Sequence, residues 1–508
     1  MRIEKTKNAS RNITFGLAQK IYQIIVPFLL RTALIVYLGA EYVGLNSLFI
    51  SILAVLNIAE LGVGNALVFS MYKPIAYDDT KTICALMRLY KIYYIIIGAI
   101  VLATGLLILP FIPHLIKGDV PAGMNVYVLY LLNLGATVLS YWVLSYKNSI
   151  LIAHQRTDIS SKVLLGVNTV QYALQFVSLI VFKNYYLYLI IALASQLVIN
   201  VVTAIIADKL YPKYRAKGKL PKEEIKKINS KIKDLFAGKI GSVVMINVDS
   251  IVISAFLGLV MLGKYNNYYY VVNSLVGVFT VLFNGIRSGI GNSLLLDSKE
   301  KNYNNFKTLT FITFWIVGFC CACLAALYQP FMNLWVGDKL MLGYGMVVLF
   351  CLYFMIIELG LSMDTFKDAA GLWKQDKYRK LICAVLNLII NLILIQFIGI
   401  YGILLSTVLV SFIVDLPWLA QNVYKQIFGK KTWEYFKYIF IFVLVDVAIA
   451  TITAGICYLI PVNNYLTFGA KMIICAIVPN VIMILIYHRR EEFLHARQLV
   501  FRMIRRSK

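Results

Sequence analysis

The chain has 508 residues, of which 60% are apolar, 13% aromatic and only 14% charged, with a formal net charge of +25. A water-soluble domain carries about 25% charged and under about 50% apolar residues, so a soluble globular fold is excluded, and a chain this apolar cannot stay disordered either. In such a chain an excess of Lys and Arg marks cytoplasmic loops rather than nucleic-acid binding, and the composition is that of a polytopic membrane protein.

Taken in order, apolar runs of the roughly 20 residues needed for a crossing helix fall near 13–38, 45–70, 89–110, 125–152, 163–182 and 186–207. A second set follows near 236–257, 265–296, 308–328, 342–363, 380–398 and 401–422, and two more near 438–460 and 466–487. The expectation is an all-α protein of about fourteen transmembrane helices. Runs such as Ile95–Leu109 do not alternate as the strands of a membrane barrel must. The first run contains Lys20, Pro27 and Arg31 and reads as a retained span, not a cleaved leader. Alternate loops take nearly all of the 49 Lys and Arg. Only Lys117, Lys183, Lys264, Lys339 and Lys471 fall on the other side, and the rule that basic loops stay inside places both termini in the cytoplasm. The densest basic stretch, Asp208–Lys239, reads as an amphipathic linker on the anionic inner leaflet.

The two halves read as copies. Leu38-Gly39 with Val43-Gly44 matches Leu257-Gly258 with Leu262-Gly263, and Gly62-Val63-Gly64-Asn65 matches Gly289-Ile290-Gly291-Asn292. Leu144-Ser145 ahead of Gln155–Asp158 matches Leu361-Ser362 ahead of Lys374–Lys377. Three matches in order at nearly constant separation, six spans apart, imply parallel repeats about an axis along the membrane normal, with a substrate site at their interface. The expected domains are an N-lobe at 1–207, a basic linker at 208–235, a C-lobe at 236–422, and two further helices with a basic tail at 423–508.

Gly258-x4-Gly263-Lys264 has phosphate-loop spacing, but Tyr265 stands where Ser or Thr would hold magnesium, and no strand precedes it. The cysteines lie almost all inside apolar runs, without histidines near them, so they read as helix fillers, and neither a metal nor another cofactor is expected. The informative residues are charges inside spans, each a functional candidate because burying it in lipid is costly. They are Lys20 and Arg31 in span one, Glu60 in span two, Asp249 in span seven, Arg287 in span eight and Glu358 in span ten. Asp415 lies within a few turns of the inner surface and reads as a side chain that snorkels to it; Asp446, outside the repeat, reads as structural. In the repeat Glu60 and Arg287 occupy equivalent positions with opposite charge. Arg31 and Arg287, with Lys20 as an inner contact, are the candidates to hold a phosphate head group. Glu60, Asp249 and Glu358 are the candidates for ion coupling or cleft charge.

Ala59-Glu60-Leu61-Gly62-Val63-Gly64-Asn65-Ala66, Met71–Ala76 and Ala85–Lys91 resemble the N-terminal region of Wzx-type polysaccharide flippases, and Lys367–Lys374 is similar to their second-lobe motif. The resemblance implies the multidrug/oligosaccharidyl-lipid/polysaccharide exporter superfamily, with two MATE-like six-helix lobes around a central cleft. It also implies an undecaprenyl-pyrophosphate-linked glycan as cargo, membrane lipids around it, and a glycan polymerase and chain-length regulator as partners. The expected setting is the bacterial inner membrane, with proton or sodium coupling and no enzymatic activity. A lipid II flippase and a drug/cation antiporter of the same superfamily are the alternative readings.

Overall fold

Hydrocarbon offers no water to an unpaired peptide group, so an apolar run must close its own hydrogen bonds as a helix. The computed structural model describes residues 5–118, 120–461 and 465–506, and among them every regular element is helical. The orientation expected of the two termini falls on residues 1–4 and 507–508, which lie outside the described residues.

The chain divides into two compact units, Met1–Asn266 and Asn267–Lys508. The first holds α1 (Lys5–Tyr37), α2 (Ala40–Leu56), α3 (Val63–Ala76), α4 (Thr80–Ile108), α5 (Val126–Trp142), α6 (Asn148–Ala153), α7 (Thr157–Val177), α8 (Tyr185–Leu210) and the first part of α9 (Lys222–Leu296). The second holds the rest of α9, then α10 (Lys299–Val336), α11 (Tyr344–Ala369), α12 (Trp373–Asp376), α13 (Arg379–Ile398), α14 (Ile400–Val410), α15 (Leu416–Gln421), α16 (Thr432–Tyr458), α17 (Tyr465–Tyr487) and α18 (Glu491–Arg506).

Among the described residues twelve helices are long and apolar enough to cross a membrane, thirteen when one bent pair counts as a single span. The difference from the expected fourteen has a local cause. The runs 236–257 and 265–296 have no loop between them and continue as the 75-residue α9, interrupted at Gly258 with φ 84° and ψ 175°. The break at Gly258 separates two helical stretches, 222–257 and 259–296, each longer than the roughly 20 residues a crossing needs.

Two other expected spans are broken rather than joined. The run 45–70 becomes α2 and α3, separated by a tight turn at Asn57–Glu60 and by Gly62 at φ 89°, a conformation that costs glycine nothing. The run 125–152 breaks after Trp142, with Leu144 at φ 54° and a 47° bend before Ser145–Ala153. Asp79 opens α4, accepting from the Thr82 hydroxyl (2.6 Å) and amide (3.1 Å); these bonds hold its carboxyl below the usual carboxylate range.

The basic stretch 208–235 lies along the first unit. The Arg88 guanidinium donates to the Gly218 carbonyl at 3.0 Å, Tyr93 donates to Asn229 at 2.6 Å, and the Lys231 ammonium sits 4.5 Å from the Phe69 ring centre. In the second unit Asn387 donates to Thr407 at 2.9 Å and to Ser406 at 3.2 Å, all three buried, which pins α13 to α14. Helix α18 docks on α10, where Phe493 stacks on Trp315 at 5.5 Å and Trp315 donates to Asn480 of α17.

The tightest packing in the first unit is backbone against backbone. A Cβ on Gly44 would stand 2.1 Å from the Leu259 carbonyl oxygen, and one on Gly263 would stand 2.4 Å from that of Ala40. The contact is reciprocal, joining the start of α2 to the part of α9 just past Gly258. Gly44→Val is expected to destabilise the protein by roughly 1–3 kcal/mol through overpacking, read as a lower melting temperature in detergent. Gly166→Ala, at a helical position with nothing within 4 Å of the added carbon, should leave it unchanged or raise it.

Candidate functional site

The span charges divide between the two units. In the first, Lys20 and Arg31 stand on α1, both half-buried, about 16 Å apart along the axis. Arg31 is near enough to Tyr188 of α8 to act on it electrostatically. Asp249 is buried on α9. Glu60 sits in the turn between α2 and α3. It accepts from the Tyr94 hydroxyl at 2.7 Å, and Tyr94 in turn accepts from Tyr90 at 3.0 Å. This chain exists because Gly64 leaves it room: a Cβ there would lie 2.9 Å from the Tyr90 hydroxyl oxygen.

In the second unit Arg287 belongs to a cluster that sequence reasoning saw only in part. Asp364, Lys367 and Asp368 occupy successive turns of one face of α11; Asp376 ends α12, Arg379 and Lys380 begin α13, and Asp415 lies between α14 and α15. Arg379, only 1% exposed, spends its whole fork: Nε to Asp376 at 2.5 Å, Nη1 to Asp415 at 2.5 Å and Nη2 to Asp364 at 2.8 Å. Lys367 reaches Asp376, Asp364 and Asp368 at 2.8, 3.0 and 3.2 Å, and Lys380 reaches Asp415 at 2.9 Å. Asp415 therefore does not snorkel. It is buried and fixed between Arg379 and Lys380, because two cations arrive from the neighbouring helix and make the surface unnecessary.

Arg287 touches this cluster differently. Its Nη2 lies 3.4 Å from Asp368, the side chain is 39% exposed, and its buried Nε meets no acceptor among the described residues. Guanidinium donors are left over for a further anion. Glu358, two turns before Asp364 on α11, is fully buried, and neither carboxylate oxygen meets a hydrogen-bond donor among the described residues. Asp446 of α16 is likewise buried, with one oxygen unsatisfied. Among the described residues no group of three His, Cys, Asp or Glu side chains is placed to hold a metal ion. The spacing of Asp364, Lys367 and Asp368, three and four residues apart, was the available signal for the cluster.

The family model described as "Polysaccharide biosynthesis protein" matches residues 9–285, more than half of the chain. The chain belongs to the polysaccharide biosynthesis protein family. The stretches that resemble Wzx-type flippases at Ala59–Ala66 and Met71–Ala76 fall within this match. Among solved structures, the lipid II flippase MurJ in an inward closed conformation is similar at 15% identity and a TM-score of 0.65, covering 94% of this chain and 99% of its own. An inward-facing multidrug resistance MATE family transporter aligns at 13% identity and a TM-score of 0.62, covering 81% and 97%. A eukaryotic MATE transporter aligns at 15% and 0.54, covering 82% and 95%. No curated protein matches. The fold is thus that of the MurJ and MATE structures, whose members are flippases and transporters, not catalysts.

Within this multi-pass membrane fold Arg379 ties α11, α12, α13 and the α14–α15 junction together. Removing Arg379 leaves Asp364, Asp376 and Asp415 with only Lys367 and Lys380 to compensate them, so Arg379→Ala is expected to cost roughly 3–5 kcal/mol, measured as lost monodisperse protein on heating. Arg287→Ala should cost far less, because Asp368 keeps Lys367.

Proposed function

We propose that this protein is a flippase that moves an undecaprenyl-pyrophosphate-linked oligosaccharide repeat unit across the bacterial cytoplasmic membrane by alternating access. The product serves cell-surface polysaccharide synthesis, as O-antigen, capsule or exopolysaccharide, with a glycan polymerase and chain-length regulator acting next. Family membership supports the cargo class, and the MurJ-like fold supports the mode of movement. The observation that carries the reading is Arg287: one long ion pair and spare donors beside a second, buried arginine bound to three carboxylates. A diphosphate takes such a fork in bidentate fashion. Arg31 supplies the cation of the first unit, and Lys20 a contact deeper on the same helix.

Movement is coupled to an ion gradient in this reading, and Glu358 is its carrier. No cation or donor among the described residues compensates a charge there, which suits a group that takes up and releases a proton. Glu60 and Asp249 are the remaining coupling candidates. The MurJ likeness favours lipid II as a second cargo reading. Rescue of a strain depleted of its lipid II flippase, but not of one lacking its polysaccharide flippase, would establish that alternative.

Arg31→Ala combined with Arg287→Ala is expected to abolish complementation of a polysaccharide-flippase-null strain at normal membrane abundance by immunoblot. Arg→Lys at either position should fall well short of wild type, because an ammonium cannot reproduce the planar fork. Full complementation by the double Ala variant would show that the head group is held elsewhere.

Both termini and the 208–239 stretch face the cytoplasm in this reading. Lys217→Cys in a cysteine-depleted background should resist a membrane-impermeant maleimide in intact cells and react after permeabilisation. Labelling from outside would reverse the orientation.

A further inference from the structure

The first unit contains a partly open cavity of about 550 Å³, lined by polar and apolar side chains alike, where two of its helices break. The passage from α2 to α3 at Gly62 and the one from α5 to α6 at Leu144 border the same space. Interrupted helices at membrane depth are tolerated where they line a cavity, and such places bind cargo in transporters. The volume lies within the roughly 300–1,000 Å³ of ligand pockets and is far too large for a bare ion.

The chemistry of the walls narrows the occupant. They carry Glu60, Asn65, Tyr72, Tyr94, Asn148 and Asn200, and no Lys or Arg is among the lining residues described. The Lys231 ammonium, 4.5 Å over the Phe69 ring, is not among the lining residues, and a carboxylate in a wall without a lining cation disfavours a diphosphate. Asn200 donates to the Ser140 carbonyl at 2.9 Å and Asn148 accepts from Ser160 at 2.7 Å. Those bonds leave an amide oxygen on Asn200 and an amide NH2 on Asn148 for a ligand. Tyr94, itself bonded by Tyr90, fixes the Glu60 carboxylate in one orientation. Donors, acceptors and a carboxylate can serve vicinal hydroxyls, while Tyr72 and Phe69 offer aromatic faces to the C–H side of a ring.

We propose that this cavity binds a neutral sugar residue of the transported glycan, so that sugar and diphosphate are held by separate groups of residues. The proposal rests on the flippase reading above and adds the subsite that recognises the glycan.

The test uses the full chain in lipid nanodiscs and measures equilibrium binding of three kinds of probe. They are farnesyl diphosphate, farnesyl diphosphate bearing one glucose, galactose, N-acetylglucosamine or N-acetylgalactosamine, and tetraphenylphosphonium as an organic cation. At least one sugar-bearing probe is expected to bind about tenfold more tightly than farnesyl diphosphate. Glu60→Gln and Asn65→Ala should remove most of that advantage. Asn65 is exposed, so its truncation keeps the fold if Glu60→Gln does not. Arg287→Ala should weaken all diphosphates alike and preserve the advantage. Equal binding of every diphosphate, or an advantage that survives both cavity variants, would overturn the sugar site while leaving the flippase reading standing. Glu60-dependent binding of tetraphenylphosphonium without binding of any diphosphate would overturn both.

Discussion

Every peptide group that enters hydrocarbon must find its partner within the protein, and the architecture follows from how this chain meets that demand. Along most of its length the answer is an uninterrupted helix. At Gly62 and Leu144 it is different: the ladder is cut, local turn bonds such as Ala66 to Gly62 and Lys147 to Leu144 take its place, and the residues that follow line a cavity. At Gly258 the ladder is interrupted within α9 beside the reciprocal Gly44–Leu259 and Gly263–Ala40 contacts, where backbones meet with no side chain between them. These three breaks thus either border a cavity or allow backbones to pack closely.

The same economy governs charge. Eight ionisable side chains of the second unit gather in one cluster, and burial there is tolerable only because almost every lone pair and proton has a counterpart. Arg379 is the centre of that accounting, buried and bound to three carboxylates. Arg287 stands at its edge, half-exposed, with donors to spare. Two arginines of one cluster therefore differ in kind, one tying helices together and one with donors unused.

Hydrophobicity over twenty residues is a local property, which is why the helices are legible in the chain itself: 308–328 falls inside α10, and 342–363 and 438–460 fall largely inside α11 and α16. Breaks are not local in that sense. Glu60 reads as a charge within one span, yet it occupies a turn, and no proline marks the place; only the positive φ of Gly62 does. Arg287 and Glu358 stand out because they interrupt apolar runs. Arg379 escaped because it sits at the edge of the run 380–398, where an arginine is ordinarily at the surface. Its burial depends on carboxylates arriving from α11, α12 and the α14–α15 junction, and no single window of sequence contains them. The Lys367–Lys374 stretch that resembles the flippase motif begins within this cluster, which gives that resemblance a physical content.

Arg287 also closes an electroneutral set. Asp364, Asp368, Asp376 and Asp415 are matched by Lys367, Arg379, Lys380 and Arg287. When the Arg287 guanidinium turns to a phosphate, three cations remain for four carboxylates, and the cluster is left with one uncompensated negative charge. A positive charge from any source then binds more favourably than before, and by thermodynamic reciprocity its presence favours the loaded protein by the same free energy. In the flippase reading proposed above, cargo occupancy and cation affinity would thus be linked through the Arg287–Asp368 ion pair.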